Sequence, residues 1–445
     1  MAETKIIVLD DDPTGSQTVH SCLLLTRWDV ATLKTGLQDR APLFFVLTNT
    51  RGMDAVSARD LTREVCINLK QAMAELAETG REINPLVVSR SDSTLRGHYP
   101  VETDVIAEEL GPFDAHFMVP AFFEGGRFTR DSVHYLLVDG EPVPVHETEF
   151  ARDSVFGYSH SYMPDYVEEK TKGRIKAKDV AQFLLYDVRG DSLARLMALH
   201  DNKCCVVDCE TQADLNNFCT QLMTAARKGK RFLFRSGASL LTALAQLPPQ
   251  PVKAEQMARY VRNGKPGAVV VGSHVKKTTQ QLQALLDEPG IAGVEVDVER
   301  IDNDPNLLDN VIEKITDLHQ ARINVVIYTS RTEKTFPSQA ERLAFGERVS
   351  EFLMEVVRNL PVSLGFLISK GGITSNDVLS KGLNLRTSRV MGQILPGCSV
   401  VCCPADHPRY PNLPVVIFPG NVGDADALAR ACRHLTITES VTATA

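Results

Sequence analysis

Three adjacent carboxylates, Asp10, Asp11 and Asp12, directly follow a short apolar run near the start of the chain. The run at residues 6–9 is typical of a buried parallel strand, and residues 13–15, Pro-Thr-Gly, are typical of a turn. In open α/β sheets, ligands bind at the carboxyl ends of such strands. Because adjacent carboxylates repel one another, a cation, arginines or backbone N–H groups must offset their charge. We therefore interpret this turn as part of a binding site rather than a solvated acidic turn.

Two further predicted strands in this half of the chain also end in polar segments. Residues 43–47 are followed by Arg51, and residues 85–88 are followed by residues 89–98, which hold two arginines, an aspartate, four hydroxyls and a histidine. The planar guanidinium of arginine suits a carboxylate or phosphate, while aspartate and hydroxyl groups suit the hydroxyls of a sugar. Together the three segments predict a pocket for a small, polyhydroxylated acid.

Three predicted strands in the C-terminal half each end in a polar turn that contains glycine. The turns are Gly272-Ser273, Gly371-Gly372-Ile373-Thr374 and Gly420-Asn421-Val422-Gly423. Glycine lets backbone N–H groups approach a phosphate closely, and a following helix favours the anion. Neither a Walker sequence nor a strict dinucleotide-binding fingerprint is present. The three turns together predict a site for a phosphate-bearing ligand, to which Ser273, Thr374 and Asn421 add side-chain hydrogen bonds.

The elements that would position these turns alternate between strands and helices along most of the chain. This pattern predicts an α/β fold with two α/β domains, largely parallel sheets and an active-site cleft between them. The proline-rich residues 247–251 are the best linker candidate, so we predict an acid-sugar-binding domain over residues 1–250 and a nucleotide-binding domain over residues 251–445. Residues 120–165 break the alternation and predict an irregular insertion or a lid over the site.

The composition narrows the class of protein. With 445 residues, 43% hydrophobic and 23% charged, the chain is typical of a soluble globular protein with two domains. A formal net charge of −8 argues against general affinity for nucleic acid or anionic membranes, since both require a basic face. No apolar segment is long enough for a transmembrane helix, and the first strand leaves no room for a signal peptide. We therefore expect a cytoplasmic protein with buried, reduced cysteines. The sequence is compatible with a homo-oligomer.

A pocket for an acid sugar and a site for phosphate suit phosphoryl transfer. In that reaction an aspartate takes the hydroxyl proton and Mg²⁺ accompanies the phosphates of ATP. A second hypothesis is a haloacid-dehalogenase-like phosphatase, because Asp10, Asp12 and Thr14 fit an Asp-x-Asp-x-Thr loop with Asp10 as the nucleophile. The later Gly-Asp-x-x-x-Asp segment of that hypothesis is absent; Gly190-Asp191 is its nearest match.

Taken together, the motifs resemble those of the four-carbon acid sugar kinases, some of which carry the label Hrp-dependent type III effector. The similar segments are Asp11-Asp12-Pro13-Thr14-Gly15, Ser91-Asp92-Ser93-Thr94-Leu95-Arg96-Gly97, Gly371-Gly372-Ile373-Thr374 and Gly420-Asn421-Val422-Gly423. They occur in the same order and span nearly the whole chain. The resemblance implies an ATP-dependent kinase acting on threonate, erythronate or an oxo-tetronate, with the acid bound by the N-terminal domain and ATP by the C-terminal domain.

The resemblance also implies the site residues. Asp12 would be the general base or a hydroxyl-binding carboxylate, Arg51 and Arg96 would hold the substrate carboxylate, and Asp92 would bind a hydroxyl. The implied substrate-binding set is Asp11, Asp12, Arg51, Asp92, Ser93 and Arg96. The implied nucleotide-binding set is Ser273, Gly371, Gly372, Ile373, Thr374, Gly420 and Asn421. No residue is assigned to Mg²⁺.

Three positions depart from the family's pattern and indicate a divergent subgroup. Ile373 stands where Glu or Asp is usual, Val275 replaces a second hydroxyl, and Val422 stands where Phe is more usual. The loss of the acidic side chain at Ile373 is the feature that best fits a third hypothesis, a non-catalytic nucleotide-binding effector.

Overall fold

The structure is a computed structural model, and it describes residues 3–273, 275–331, 336–420 and 422–436. The chain divides into two compact units, Met1–Pro249 (unit 1) and Gln250–Ala445 (unit 2). Both units contain a mostly parallel sheet with connecting helices, so the predicted α/β class is confirmed.

In unit 1, the described residues form eleven strands and eight α-helices. The strands are β1 Glu3–Asp10, β2 Leu23–Leu25, β3 Leu43–Leu47, β4 Ile83–Arg90, β5 Ala115–Val119, β6 Arg127–Arg130, β7 Val133–Val138, β8 Glu141–Pro144, β9 Ala181–Phe183, β10 Lys203–Val207 and β11 Phe232–Ser236. The helices are α1 Val30–Gln38, α2 Ala55–Glu78, α3 Val101–Leu110, α4 Met163–Lys170, α5 Leu185–Arg189, α6 Leu193–Met197, α7 Gln212–Arg227 and α8 Ser239–Ala245.

The main sheet of unit 1 has the strand order β2-β3-β1-β4-β11-β5-β10-β9, and its strands pair in parallel. The apolar runs of β1 and β3 are buried, as expected for strands covered on both faces. In the register, Asp10 pairs with Leu47 on one side and with Arg90 on the other. The polar segments after these strands therefore start at the same edge of the sheet.

The segment after β5 is more regular than the sequence predicts. Strands β6, β7 and β8 form a separate antiparallel sheet, and α4 follows it. The expectation of an irregular insertion at residues 120–165 was therefore wrong for these strands. Their polar and aromatic side chains give no clear alternation, because several of the polar ones, such as Thr129 and His134, are buried.

In unit 2, the described residues form seven strands and five α-helices. The strands are β12 Ala268–Val271, β13 Ile291–Val296, β14 Asn324–Thr329, β15 Leu367–Lys370, β16 Thr387–Leu395, β17 Cys398–Cys402 and β18 Pro414–Phe418. The helices are α9 Lys276–Leu286, α10 Leu307–Gln320, α11 Gln339–Arg358, α12 Gly372–Asp377 and α13 Ala427–Leu435.

The strand order in unit 2 is β13-β14-β12-β15-β18-β17-β16. The first five strands are parallel, and β17 and β16 are added antiparallel to β18. The core of this sheet is apolar and includes Val269, Val326, Ile368 and Val416. Across the described parts of both units, none of the helices combines the length and apolarity that crossing a membrane requires. The cysteines are free thiols, and all except the half-buried Cys402 are buried.

Candidate functional site

In unit 1, the ends of four neighbouring strands bring the predicted acid-binding segments together. Strands β3, β1, β4 and β11 are adjacent, and each is followed at the same edge by a polar turn. Three of these turns carry the candidates chosen from the sequence. Arg235 lies on the fourth strand, in its last two residues, and was missed from the sequence although Arg235-Ser236-Gly237 follows an apolar run in the same way.

Asp11 is a buried carboxylate that Arg51 neutralises. Arg51, on a short 3₁₀ helix at Thr50–Gly52, donates from Nε across 3.1 Å and also from Nη2 to the carboxylate of Asp11. The Ser91 hydroxyl lies 2.7 Å from the Asp11 Oδ2 atom. The charge of the acidic triplet is thus offset by arginine, one of the means that the sequence allowed.

Asp12 is the member of the triplet that remains accessible, with 21% of its side chain exposed. Its Oδ1 accepts hydrogen bonds from the backbone N–H of Thr14 at 2.8 Å and from the Thr14 hydroxyl, and its Oδ2 accepts one from Arg51 at 3.2 Å. Burial by itself would raise the pKa of Asp12, but Arg51 and these bonds outweigh it and hold the pKa below its ordinary value. Asp12 is therefore an oriented, ionised hydrogen-bond acceptor.

Asp10 is fully buried beside the turn that follows it. A Cβ atom added to Gly15 would lie 1.9 Å from Asp10 Oδ2, so the turn backbone covers this carboxyl group closely. Burial raises the pKa of Asp10 to about 8, with only partial compensation from Arg90, whose Nη1 lies 3.7 Å from Oδ1. Asp10 is neutral at pH 7 and unexposed, and neither property suits the nucleophile of a phosphatase.

The side chains of Asp92 and Arg96 form a second ion pair next to the first. Arg96 Nε donates to Asp92 Oδ2 at 2.6 Å, and the Thr94 hydroxyl donates to the same oxygen. Burial alone would raise the pKa of Asp92, but the charges of Arg51 and Arg96 hold it well below its usual range. The side chain of Arg96 is 25% exposed, and its guanidinium lies 4.9 Å from the centre of the Phe150 ring. The Nη1 atom of Arg96 lies 3.7 Å from Asp153 Oδ2, which is too far for a hydrogen bond, so the Nη groups can still donate to a ligand.

The conformation of this turn is unusual for an apolar residue. Leu95 has φ of 68° and is completely buried, and such a left-handed conformation costs roughly 1–2 kcal/mol for a residue with a side chain. Gly97 has φ of 118°, and a Cβ atom there would lie 2.2 Å from Ser91 Oγ. The Leu-Arg-Gly sequence is therefore fitted to one specific backbone path.

Arg127 is a further basic side chain at this site that the sequence did not reveal. It lies at the start of β6, and its pKa is lowered by burial, partly restored by Asp92 and lowered further by the charge of Arg96. Its Nη1 donates to the Gly125 carbonyl at 2.6 Å, whereas its Nε is buried and has no hydrogen-bond partner within the described residues. No sequence signal marks it, since Arg127 follows a Gly-Gly pair in the segment that appeared irregular.

The structure also places the remaining candidates of unit 1. Ser93 is buried, and its carbonyl accepts a hydrogen bond from His134 at 2.7 Å. Arg51 already uses Nε, Nη1 and Nη2 on Asp11 and Asp12. Among the candidates, then, the side chains of Asp12 and Arg96 are the most exposed, at 21% and 25%, whereas Asp92 is 12% exposed and Arg51 is hydrogen-bonded to two aspartates.

In unit 2, the three glycine turns follow strands β12, β15 and β18, which are direct neighbours in the sheet. A Cβ atom on Gly272 would lie 2.7 Å from the Thr374 hydroxyl, and one on Gly371 would lie 3.8 Å from Ser273 Cβ. The first two turns are thus in close proximity. Asn421 lies outside the described residues, whereas Gly420 lies two residues after the end of β18.

Basic side chains from neighbouring elements, a buried Lys370 and a half-buried Arg331, hold these turns. Lys370, completely buried at the end of β15, donates from Nζ to the carbonyls of Pro419 at 2.6 Å and Gly420 at 2.9 Å. Burial lowers the pKa of Lys370 to about 8. Arg331 donates from Nη1 to the Ser273 carbonyl at 2.7 Å. Both are basic groups at the predicted phosphate site, and the sequence did not reveal either of them.

Two of the three apolar residues that depart from the family's pattern are exposed, whereas Val422 is half-buried against the core. Ile373 is 78% exposed and Val275 is 51% exposed. Neither side chain is part of the core, so both are free to contact a ligand or solvent. Within the described residues, no group of three His, Cys, Asp or Glu side chains is arranged to hold a metal ion.

Two domain models match this chain. A sugar-binding N-terminal domain model matches residues 6–244, and a nucleotide-binding C-terminal domain model matches residues 268–428. A D-erythronate kinase from Heliobacterium modesticaldum is 29% identical over 313 residues, which cover 67% of this chain. The chain spans 64% of the length of that relative.

Two solved structures share the fold. A Haemophilus influenzae protein of a domain family of unknown function matches with a TM-score of 0.65 and 16% identity, over 97% of this chain and 100% of its own. A Salmonella typhimurium LT2 protein described as a candidate tRNA synthase matches with a TM-score of 0.72 and 17% identity, over 98% and 100%. At these identities the likeness concerns the fold alone. The model of the sugar-binding N-terminal domain alone matches more than half of the chain, and the chain therefore belongs to the four-carbon acid sugar kinase family.

Proposed function

We propose that this protein is an ATP-dependent kinase that phosphorylates a hydroxyl group of a four-carbon acid sugar, such as erythronate, threonate or an oxo-tetronate. Unit 1 binds the acid and unit 2 binds ATP. The observation that carries the proposal is Asp12, an accessible carboxylate kept ionised by Arg51 and Thr14 beside a group of arginines. Family membership and the D-erythronate kinase relative support it.

In the proposed reaction, the substrate hydroxyl oxygen attacks the γ-phosphorus of ATP and the bond from that phosphorus to the bridging oxygen breaks. ADP leaves, and the hydroxyl proton passes to the carboxylate of Asp12. A low pKa suits this task, because the hydroxyl loses its proton late in a loose transition state and Asp12 needs mainly to be ionised and oriented. Mg²⁺ would neutralise the phosphates, and we assign it no protein ligand.

The substrate carboxylate requires a guanidinium with hydrogen-bond donors that are not already used. Arg96 fits this role, because its Nε donates to Asp92, its Nη1 lies 3.7 Å from Asp153 Oδ2, too far for a hydrogen bond, and its side chain is 25% exposed. We add Arg127 to the proposed carboxylate site on the strength of its unpaired Nε and its electrostatic interaction with Asp92 and Arg96. We propose that Asp92 and Ser93 bind hydroxyls, and that Arg51 acts chiefly by orienting Asp12.

In unit 2, the proposed ATP site comprises the turns at Ser273, Gly371–Thr374 and Gly420-Asn421. The proposal is supported by the adjacency of their strands and by the basic groups Lys370 and Arg331 that hold the turns. Backbone N–H groups of the glycine turns would bind the phosphates. Ile373 would contribute through its backbone rather than its side chain.

A coupled ADP-release assay with Mg·ATP tests the proposal directly. The panel consists of both enantiomers of erythronate and threonate together with the oxo-tetronates, and Asp12→Asn is the control variant. Release of ADP on one acid, lost in Asp12→Asn, is the expected result. If no acid gives turnover while ATP still raises the Tm, the effector hypothesis replaces the kinase. Phosphate release from a sugar phosphate without ATP would instead favour the phosphatase.

A further inference from the structure

The loop formed by Asp92–Arg96 presents its backbone carbonyls to buried side chains in an unbroken row. Arg235 donates from Nη1 to the Asp92 carbonyl and from Nη2 to the Arg96 carbonyl, each at 2.9 Å. His134 Nε2 lies 2.7 Å from the Ser93 carbonyl. The three carbonyls are therefore held by two side chains, one from β11 and one from β7.

Two tyrosines complete the row. The Tyr158 hydroxyl donates to the Thr94 carbonyl at 2.7 Å, and the Tyr166 hydroxyl donates to the Leu95 carbonyl at 2.9 Å. Tyr166 and His134 are completely buried, and Arg235 and Tyr158 are nearly so. We call Arg235, His134, Tyr158 and Tyr166 the loop frame. Each of the five carbonyls of the loop thus has a donor from the loop frame.

This arrangement is more than ordinary satisfaction of buried polar groups. Backbone carbonyls in compact proteins are mostly paired with other backbone groups, and side chains supply a minority of the bonds. Here each of five consecutive carbonyls accepts a hydrogen bond from one of four side chains that lie far away in sequence. Two of them also accept a local donor: the Asp92 carbonyl from the Leu95 N–H and the Arg96 carbonyl from the Ser91 hydroxyl, each at 3.1 Å. The buried left-handed Leu95 also shows that the surrounding structure imposes the path of the loop.

We infer that the loop frame positions Asp92 and Arg96 for binding of the acid, and that the residue 120–165 segment, through His134 and Tyr158, serves to hold this loop. The inference rests on the proposed function for its substrate. A binding group is effective only when its own neighbours fix its position, and hydrogen bonds to the loop backbone are the means available here. The four residues are positioning residues, since their contacts are to the loop backbone.

The histidine illustrates how specific the frame is. His134 Nδ1 lies 2.9 Å from the Thr129 hydroxyl, and its Nε2 faces a carbonyl that can only accept. The proton must therefore reside on Nε2, and the Thr129 hydroxyl donates to Nδ1. Burial lowers the pKa of His134 to about 4, which keeps the ring neutral at pH 7. This pair sets the tautomer that the Ser93 carbonyl requires.

The test uses Tyr158→Phe and Tyr166→Phe, each of which removes one hydroxyl and keeps the ring. Tyr99→Phe is the matched control, because Tyr99 lies in the same buried cluster and its hydroxyl lies 3.5 Å from His116 Nε2, away from the loop carbonyls. The rate of amide hydrogen exchange over residues 92–97 should rise about three- to tenfold in the two test variants, because a factor of this size corresponds to the free energy of one hydrogen bond. In the control the rate should stay unchanged. The Tm should fall similarly in all three.

The kinetic readout separates positioning from stability. In the ADP-release assay, KM for the acid should rise about three- to tenfold in Tyr158→Phe and Tyr166→Phe, while KM for ATP stays unchanged. In Tyr99→Phe both KM values should equal those of wild type. Unchanged exchange over the loop would overturn the inference, as would a rise in exchange with no rise in KM for the acid. If wild type acts on no acid, the proposed function fails, and the exchange comparison still decides whether the frame holds the loop.

Discussion

Arg51 donates a hydrogen bond from Nη1 to Oδ2 of Asp12 across 3.2 Å. The same guanidinium is held by Asp11, so its position is fixed from the other side. The pairing keeps Asp12 ionised and directs one of its carboxylate oxygens. The acidic triplet is therefore divided into three states: a neutral Asp10, a paired Asp11 and an accessible Asp12.

Asp12→Asn should lower kcat about 10²- to 10⁴-fold, because the amide cannot take the hydroxyl proton. KM for ATP should stay close to wild type, and the Tm should fall moderately, because the neutral amide no longer attracts the guanidinium of Arg51. Steady-state ADP release and thermal unfolding measure these quantities. A variant that retained a tenth or more of the wild-type kcat would contradict the assignment of Asp12.

The arginines should separate by kinetic effect. Arg96→Lys and Arg127→Lys should each raise KM for the acid at least about tenfold, because an ammonium replaces the planar fork that holds a carboxylate. Arg51→Lys should instead lower kcat, since it loses the simultaneous bonds to Asp11 and Asp12. Arg130→Lys is the control, because Arg130 lies on the same strand as Arg127 and pairs with Glu210 at the surface. An equal effect of all four changes would refute this separation.

Asp10→Asn should fold and keep most of its activity, because the amide resembles the protonated carboxyl group of Asp10. The sign of the pH effect follows from the raised pKa of about 8. Between pH 5 and 7, Asp10 in the folded protein keeps a proton that the unfolded chain has lost. As the pH rises through this range, the free energy of unfolding of wild type therefore falls relative to that of the variant by about 1.4 kcal/mol per pH unit. Urea unfolding at several pH values measures this difference. Loss of all activity in Asp10→Asn would instead support the phosphatase hypothesis, in which Asp10 is the nucleophile.

The sequence predicted the positions of the strands whose ends carry the candidate site residues, because each of these strands is a continuous apolar run. The runs at residues 6–9 and 43–47 lie within β1 and β3, and their polar ends meet because the strands are parallel neighbours. The same reasoning brought together the glycine turns of unit 2. Runs of this kind are informative because a strand covered on both faces must be apolar throughout.

The residues that the sequence did not reveal are those whose role depends on distant contacts. Arg235 and Tyr166 bind backbone carbonyls of the Asp92–Arg96 loop, 143 and 71 positions away in the chain. Lys370 similarly reaches a carbonyl 50 positions away. No local pattern encodes a side chain that bonds to another segment's backbone. For the same reason, the sequence did not show that the guanidinium of Arg51 is hydrogen-bonded to Asp11 and Asp12.

Lys370→Met should raise KM for ATP about tenfold at pH 7, because it removes a buried charge that holds the Pro419 and Gly420 carbonyls. In wild type, KM for ATP should rise as the pH increases through about 8, the lowered pKa of Lys370, and this rise should be absent in the variant. The stability of wild type should increase with pH between about 8 and 10, since the unfolded chain binds the extra proton there. Lys381→Met is the control, as Lys381 is half exposed and pairs with Asp377.

Gly371→Ala and Ile373→Ala compare the backbone of the nucleotide turn with its most exposed side chain. Gly371 has φ of 111°, which a residue with a Cβ atom rarely adopts, although the nearest atom to such a Cβ would lie 3.6 Å away. The alanine must therefore change the direction of the turn rather than collide with a neighbour. KM for ATP should rise at least about tenfold in Gly371→Ala, with the acid KM unchanged.

Ile373→Ala should change KM for ATP less than about twofold, because the 78% exposed side chain has few contacts to lose and the proposed phosphate groups bind the backbone. Titration of ATP in the ADP-release assay, with isothermal calorimetry of a non-hydrolysable analogue, measures both variants. If Ile373→Ala were the more damaging change, the side chain itself would contact the nucleotide. The apolar residue at this position would then be part of nucleotide recognition, and the backbone role assigned to the turn would be wrong.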